Sequence, residues 1–222
     1  EGRWPWSRDK IAILLDRLFD DYGVAIVGFD VVFAESEEVS GERVLNLLEE
    51  KFSQHEEFIE ESRRLRADLD NDARLSRAIG KDGRQVVLGY FFTDTDADDE
   101  ALRVGKLPDP VFPAGQFSGR KIAFLEADGY GANLAQFQDE ASLAGHFITT
   151  PDTDGVVRRI PMLYKFEDQY YESLTLAVTR MILAADEVIP GFPPDSQARS
   201  DYSGMEWLTV KNLRVPVDLQ VQ

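Results

Sequence analysis

The chain has 222 residues, 43% of them hydrophobic, with 41 acidic against 24 basic side chains and a net charge of −17. That apolar content supports a folded core, while the acidity weighs against nucleic acid and against an anionic membrane leaflet as direct partners. There is no cysteine and there are two histidines, His55 and His146, which excludes disulfides, thiol nucleophiles and zinc sites built on Cys or on His clusters.

Residues 10–22 place Ile11, Leu14, Leu15, Leu18 and Phe19 at helical spacing, with Ser7 as the cap, Pro5 just before it and Gly23 as the stop. Residues 24–33 form a nearly continuous β-prone run, expected as a strand buried on both faces. Residues 36–80 are long and charged. Val44, Leu45, Leu48, Phe52, Phe58, Ile59, Leu65 and Leu69 recur at helical intervals, which predicts one long helix or two in sequence. Their narrow apolar stripe suits either a contact within the chain or a dimer contact. Residues 72–79 read as a shorter helix before Gly80, and residues 85–92 as the next strand.

Residues 94–119 are rich in Pro, Gly and acids, a loop long enough to cover or border something. A strand at 121–126 and a short helix at 135–144 follow. The run His146-Phe147-Ile148 then enters a turn at residues 151–155, and Val156-Val157 leave it toward residue 166. Asp154-Gly155 between β-prone runs predicts a hairpin. Further on come a turn at 167–169, an amphipathic helix at 173–183, a Pro/Gly/Ser-rich connector at 191–203, and strands at 206–210 and 213–217. The expected fold is α/β in one domain spanning residues 1–222: a mixed, mostly parallel sheet flanked by helices, with a later antiparallel hairpin and a long charged helical insertion. No stretch of about 18 uncharged apolar residues exists. The first residue is Glu1 and the last residues read as a strand without a closing loop, so the chain is expected to be a piece of a longer protein.

Several groups are candidates for chemistry. Asp152-Thr153-Asp154-Gly155 has part of a calcium loop, but the acid and the Glu that such a loop requires are replaced by Thr150 and Pro161, so a plain turn is expected. Arg158 and Arg159 suit an anion clamp or ion pairs with local acids. Asp30 follows a strand expected to be buried; it is either a nucleophile or metal ligand, as in phosphatase-like α/β enzymes, or a structural acid that caps or pairs with Arg8. Trp4 and Trp6 beside Arg8 suit stacking on a ligand or anchoring the start of a helix. His146 is expected to be buried and satisfied. Gly129-Tyr130-Gly131-Ala132-Asn133 lacks the lysine of a phosphate loop. The candidate ligand contacts are therefore Trp6, Arg8, Asp30, Asp154, Arg158 and Arg159, with no catalytic residue, metal or cofactor expected.

Four segments together resemble one family. They are Gly2-x-Trp4-Pro5-Trp6-x-Arg8, Gly28-Phe29-Asp30-x-x-Phe33, Asp72-x-x-Leu75-x-x-Ala78-Ile79, and Gly145-His146 with Pro151-Asp152-x-Asp154-Gly155-Val156-Val157-Arg158-Arg159-x-Pro161. In that order they resemble the CHASE domain of the second type, a cyclase- and histidine-kinase-associated extracellular sensory domain. The resemblance covers nearly the whole chain. A strand that the family commonly has ahead of the Trp-Pro-Trp motif is missing, and Thr149 stands where the family often has Asn. The resemblance implies an extracytoplasmic, membrane-anchored input module of a bacterial signalling protein. Its implied output is an adenylate or guanylate cyclase, or alternatively a histidine kinase or serine/threonine kinase. The partners expected are a small-molecule or envelope signal, a second copy of the chain and flanking membrane helices. The rival reading is a soluble α/β phosphatase or hydrolase acting through Asp30.

Overall fold

A computed structural model describes residues 5–37, 40–94, 100–149, 151–192, 204–218 and 221. Gly2, Trp4, Thr150 and residues 193–203 of the expected connector lie outside the described residues. The chain divides into two compact units, Glu1–Ala25 with Glu35–Arg84, and Ile26–Ala34 with Gln85–Gln222.

The first unit is helical. Helix α1 (Arg8–Asp16) runs into a π-helical turn, Arg17–Asp21. Gly23 ends it at φ +64, a left-handed conformation that costs glycine little, and the Val24 N–H donates back to the Leu18 carbonyl at 3.0 Å. Of the one or two long helices expected, two form, α2 (Ser40–Lys51) and α3 (Glu56–Leu69), and the shorter helix expected over 72–79 is α4 (Asn71–Ile79). Asp70 makes the second break. Its carboxylate accepts from the Ala73 N–H at 2.8 Å, and a capping residue cannot also continue the preceding helix. Helices α2 and α3 lie antiparallel, tied by Ser62 to Glu49 (2.5 Å) and by Arg66 to Asn46 and Glu49 (2.9 Å each). That pairing covers Leu45 but leaves Val44, Leu47 and Leu65 exposed. Helix α1 packs on α4, burying Ile11, Ala12 and Leu15 on one and Leu75, Ala78 and Ile79 on the other.

The second unit is built on β2 (Val86–Thr93), whose inner residues are fully buried. Strand β1 (Val27–Phe29) and β6 (Leu143–His146) flank it in parallel. Strand β5 (Gly129–Gly131) runs antiparallel to its last residues, and β3 (Arg103–Val104) pairs with β5 in parallel. The strand expected over 24–33 is thus only three residues long and half-buried, because it lies at an edge of this sheet. Where it stops, Asn133 takes over. Its Oδ1 accepts from the Phe33 N–H at 2.8 Å and its Nδ2 donates to the Gly89 carbonyl at 2.9 Å.

Two further sheets complete the unit. Strand β7 (Leu163–Phe166) pairs with β4 (Leu125–Ala127) in parallel and with β8 (Gln169–Glu172) antiparallel. The turn between β7 and β8 has Glu167 at φ 48 and Asp168 at φ 62, the two left-handed positions of a tight hairpin. This is one antiparallel hairpin of the second unit. The one expected across residues 145–161 does not form, because Leu143–His146 joins β2 instead and the Phe147 N–H follows to the Tyr90 carbonyl. The same pairing cuts the helix expected over 135–144 to α5 (Ala135–Gln138). Helix α6 (Leu174–Leu183) is capped by the Ser173 hydroxyl, which accepts from the Leu176 N–H at 3.2 Å. It packs on β6, where a Cβ on Gly145 would lie 2.4 Å from the Leu174 nitrogen. The last sheet, β9 (Val188–Gly191), β10 (Trp207–Val210) and β11 (Leu213–Pro216), is antiparallel with β10 central. Between α6 and these sheets Leu163, Leu176, Met205 and Leu208 are buried to within 2%. Full burial stabilises each such side chain by roughly 1.5–3 kcal/mol.

Candidate functional site

The residues singled out from sequence are placed individually and are mostly engaged. Arg8 pairs with Asp72 at 3.5 Å and donates to the Glu35 carbonyl at 3.2 Å, while Asp72 accepts from the Glu37 N–H at 3.0 Å. Arg8 therefore joins the start of α1 to α4, and its acidic partner is Asp72 rather than Asp30. Trp6, just before that helix, is 37% exposed. Asp30 follows β1 and is exposed; among the described residues its carboxylate has no ion-pair partner.

The 152–155 turn closes on itself. Asp152 N–H donates to the Val156 carbonyl at 3.0 Å and Gly155 N–H to the Asp152 carbonyl at 2.8 Å. Arg158 takes both acids of the turn, with Nη1 to Asp152 at 3.0 Å and both Nη atoms to Asp154 at 2.8–2.9 Å. The bidentate pair lowers the Asp154 pKa and raises that of Arg158. Arg159 bonds Asp218 at 3.1 Å. Among the described residues no group of three or more His, Cys, Asp or Glu could hold a metal ion.

A different set of residues forms a site. A cleft of about 470 Å³ opens in the second unit between residues 106–111, residues 138–144 and the wall made by Glu172, Arg180 and Asp186. Its size is within the range of small-molecule sites. Glu172 ends β8, so the strand alternation and the Ser173 cap aim it inward at the start of α6. Two turns along that helix, Arg180 meets it at 3.1 Å through Nη2 and Oε1, with side chains 12% and 7% exposed. Burial raises the Glu172 pKa to about 7 despite the opposing effect of Arg180. Three buried polar atoms of this wall have no hydrogen-bond partner among the described residues: Glu172 Oε2, Arg180 Nε and Gln138 Oε1. Each such orphan costs about 1–3 kcal/mol. Sequence reasoning passed over all three residues. The available signal was Arg180, the single charge on α6, a helix otherwise made of apolar residues and threonine.

Next to this wall, His146 is buried, as expected, but not satisfied. Its ring lies among Tyr90, Phe92 and Tyr164 at centroid distances of 5.5–6.4 Å, and neither ring nitrogen has a partner among the described residues. Burial lowers its pKa from 6.5 to about 3, so the ring is neutral. Tyr90 is likewise buried with an unpartnered hydroxyl, and its pKa is raised by burial and by Glu172.

In comparisons with known proteins, the family model described as the CHASE2 domain matches residues 1–221. No curated protein and no solved structure matches the chain.

Proposed function

Because the chain belongs to the CHASE2 domain family, a family of extracellular sensory domains of signalling proteins that are not catalytic themselves, we propose that it is the extracytoplasmic input domain of a membrane-anchored bacterial receptor. The observation that carries this reading is the family match across residues 1–221. The proposed output is an adenylate or guanylate cyclase, with histidine and serine/threonine kinases as the alternatives.

Among the described residues no helix is long and apolar enough to cross a membrane; in this proposal segments flanking this one make the membrane passage. Signalling then proceeds by linkage: a signal that binds one conformation or dimer arrangement better shifts the population toward it, and the membrane helices carry that bias inward. The proposed dimer contact is the stripe of Val44, Leu47 and Leu65, apolar residues that the α2–α3 pairing leaves exposed.

The test is made in membranes carrying the longer protein that contains this chain. Nucleotide cyclisation and autophosphorylation are measured with residues 1–222 present and deleted. A change in either output on deletion supports the input role. Output unaffected by deletion, under all media tried, overturns it.

A further inference from the structure

The helical first unit carries a cleft of its own, and cations dominate its lining. It holds about 440 Å³ and lies along the seam where α1 packs on α4. Ala12 of α1 and Ala78 of α4 are its apolar lining, 1% and 7% exposed. Side chains this small leave space between packed helices that larger ones would fill. Arg74, Arg77 and Lys81 line the same cleft, and all three are exposed to solvent.

Most of the charges here are already matched. Asp16 pairs with Arg84 at 2.8 Å, Asp20 with Lys81 at 2.8 Å and with Arg84 at 3.0 Å, and Asp70 accepts from the Ala73 N–H at 2.8 Å. Arg74 and Arg77 are the exceptions. Among the described residues neither guanidinium has an ion-pair or hydrogen-bond partner, in a chain with 41 acids against 24 bases. Lining and partners together set Arg74, Arg77, Lys81 and Arg84 against Asp16, Asp20 and Asp70. The local balance is thus positive where the chain as a whole is at −17, and an anion is favoured.

Spacing brings the two arginines to one ligand. Residues three apart on a helix have Cβ atoms about 5–6 Å apart, a gap that two arginine side chains readily close. A carboxylate presents one edge and is met by one guanidinium fork. A phosphate monoester presents three terminal oxygens and carries close to two charges at neutral pH, so it can take both forks. The cleft has the size of a site for an organic ligand rather than a bare ion.

We infer that this cleft binds a small phosphate monoester, its phosphoryl oxygens between Arg74 and Arg77 and its organic part against Ala12 and Ala78. Such binding needs no role as the signal and goes beyond the sensory reading.

The experiment is calorimetric titration of the chain at low ionic strength. The probes are glycerol 3-phosphate and inorganic phosphate, with succinate, acetate and glycerol as comparisons. Glycerol 3-phosphate is expected to bind, inorganic phosphate more weakly, and the other three not at all; added salt weakens the binding, since both arginines are exposed. Arg74→Gln and, separately, Arg77→Gln each weaken it by about tenfold or more. Arg64→Gln, an exposed arginine on α3 that is paired with Glu60, leaves it unchanged. Circular dichroism of each variant checks that the helices are intact. No binding of glycerol 3-phosphate, equal binding of succinate, or binding undiminished in both cleft variants overturns the site. So does an equal loss in Arg64→Gln, which would reduce the effect to overall charge. Inorganic phosphate bound as tightly as glycerol 3-phosphate overturns the assignment to a monoester.

Discussion

Replacing His146 with Phe is expected to make stability fall as pH rises from 4.5 to 6.5. In the folded chain burial holds the imidazole neutral down to about pH 3, whereas the unfolded chain takes up its proton near 6.5. The unfolded state thus binds more protons over this window, so the contribution of His146 is complete only well above pH 6.5 and falls by roughly 2 kcal/mol between pH 6.5 and 4.5. Glu172 acts oppositely. Burial, against the pull of Arg180, raises its pKa from 4.5 to about 7. The folded state keeps a proton that the unfolded state releases, so its contribution is complete below pH 4.5 and is lost as pH rises toward 7, again by roughly 2 kcal/mol across the same two units. In the wild type the two cancel. His146→Phe, whose ring suits the cage of Tyr90, Phe92 and Tyr164, leaves Glu172 unopposed, and stability falls by about 2 kcal/mol from pH 4.5 to 6.5. Glu172→Gln leaves His146 unopposed and stability rises by a similar amount. Urea unfolding at pH 4.5, 5.5 and 6.5, with m checked for constancy, reads both slopes. A His146→Phe variant that parallels the wild type across the window would refute the reasoning.

Three further outcomes are expected. Asn133→Ala removes the partners of the Phe33 N–H and the Gly89 carbonyl together; two buried backbone groups left unpaired should cost about 2–5 kcal/mol in denaturant unfolding, and a loss within error of zero contradicts that role. Gly145→Ala puts a Cβ 2.4–2.5 Å from the Leu174 backbone, and since backbone cannot yield as a side chain can, a drop in Tm of many degrees is expected; unaltered melting would show that α6 can shift freely. Arg158→Ala should leave both Tm and the far-ultraviolet spectrum unchanged, because its pairs with Asp152 and Asp154 are exposed and local to one turn. A clear loss of stability there would mean that the turn fixes more than itself.

Elements whose signals are local were legible. The start and stop of α1, the strand β2, the 167–169 turn, helix α6 and the last two strands all follow from residues adjacent in the chain. What was misread depended on pairing between distant segments. His146 to Ile148 has the composition of a hairpin arm, but only the parallel register of Leu143–His146 with Val87–Tyr90 decides where it goes. Residues 36–80, read as one long helix or two before a shorter one at 72–79, left only the choice between one and two open, and the structure has two, with Asp70 capping α4. Strand β9 contains Pro190, which argues against a strand until its edge position is known. The cleft was illegible for the same reason. Gln138, Glu172 and Arg180 come from α5, β8 and α6, and their spacing along the chain has no chemical meaning.

The residues that carry the family resemblance and those that line the cleft are different residues with different work. Arg8 of the first motif and Asp72 of the third bond each other across α1 and α4. Phe33 of the second is held by Asn133, Gly145 of the fourth gives α6 its approach to β6, and Arg158 folds back onto its own turn. Each motif position with a defined contact serves the frame, so membership of the family is a statement about architecture. Gln138, Glu172 and Arg180 lie outside all four motifs and line the cleft, while buried polar atoms with no hydrogen-bond partner among the described residues occur in both sets, those of His146 in the fourth motif included. A frame built this way can be kept while the wall changes its donors and acceptors, which separates the question of what the domain is from the question of what it senses.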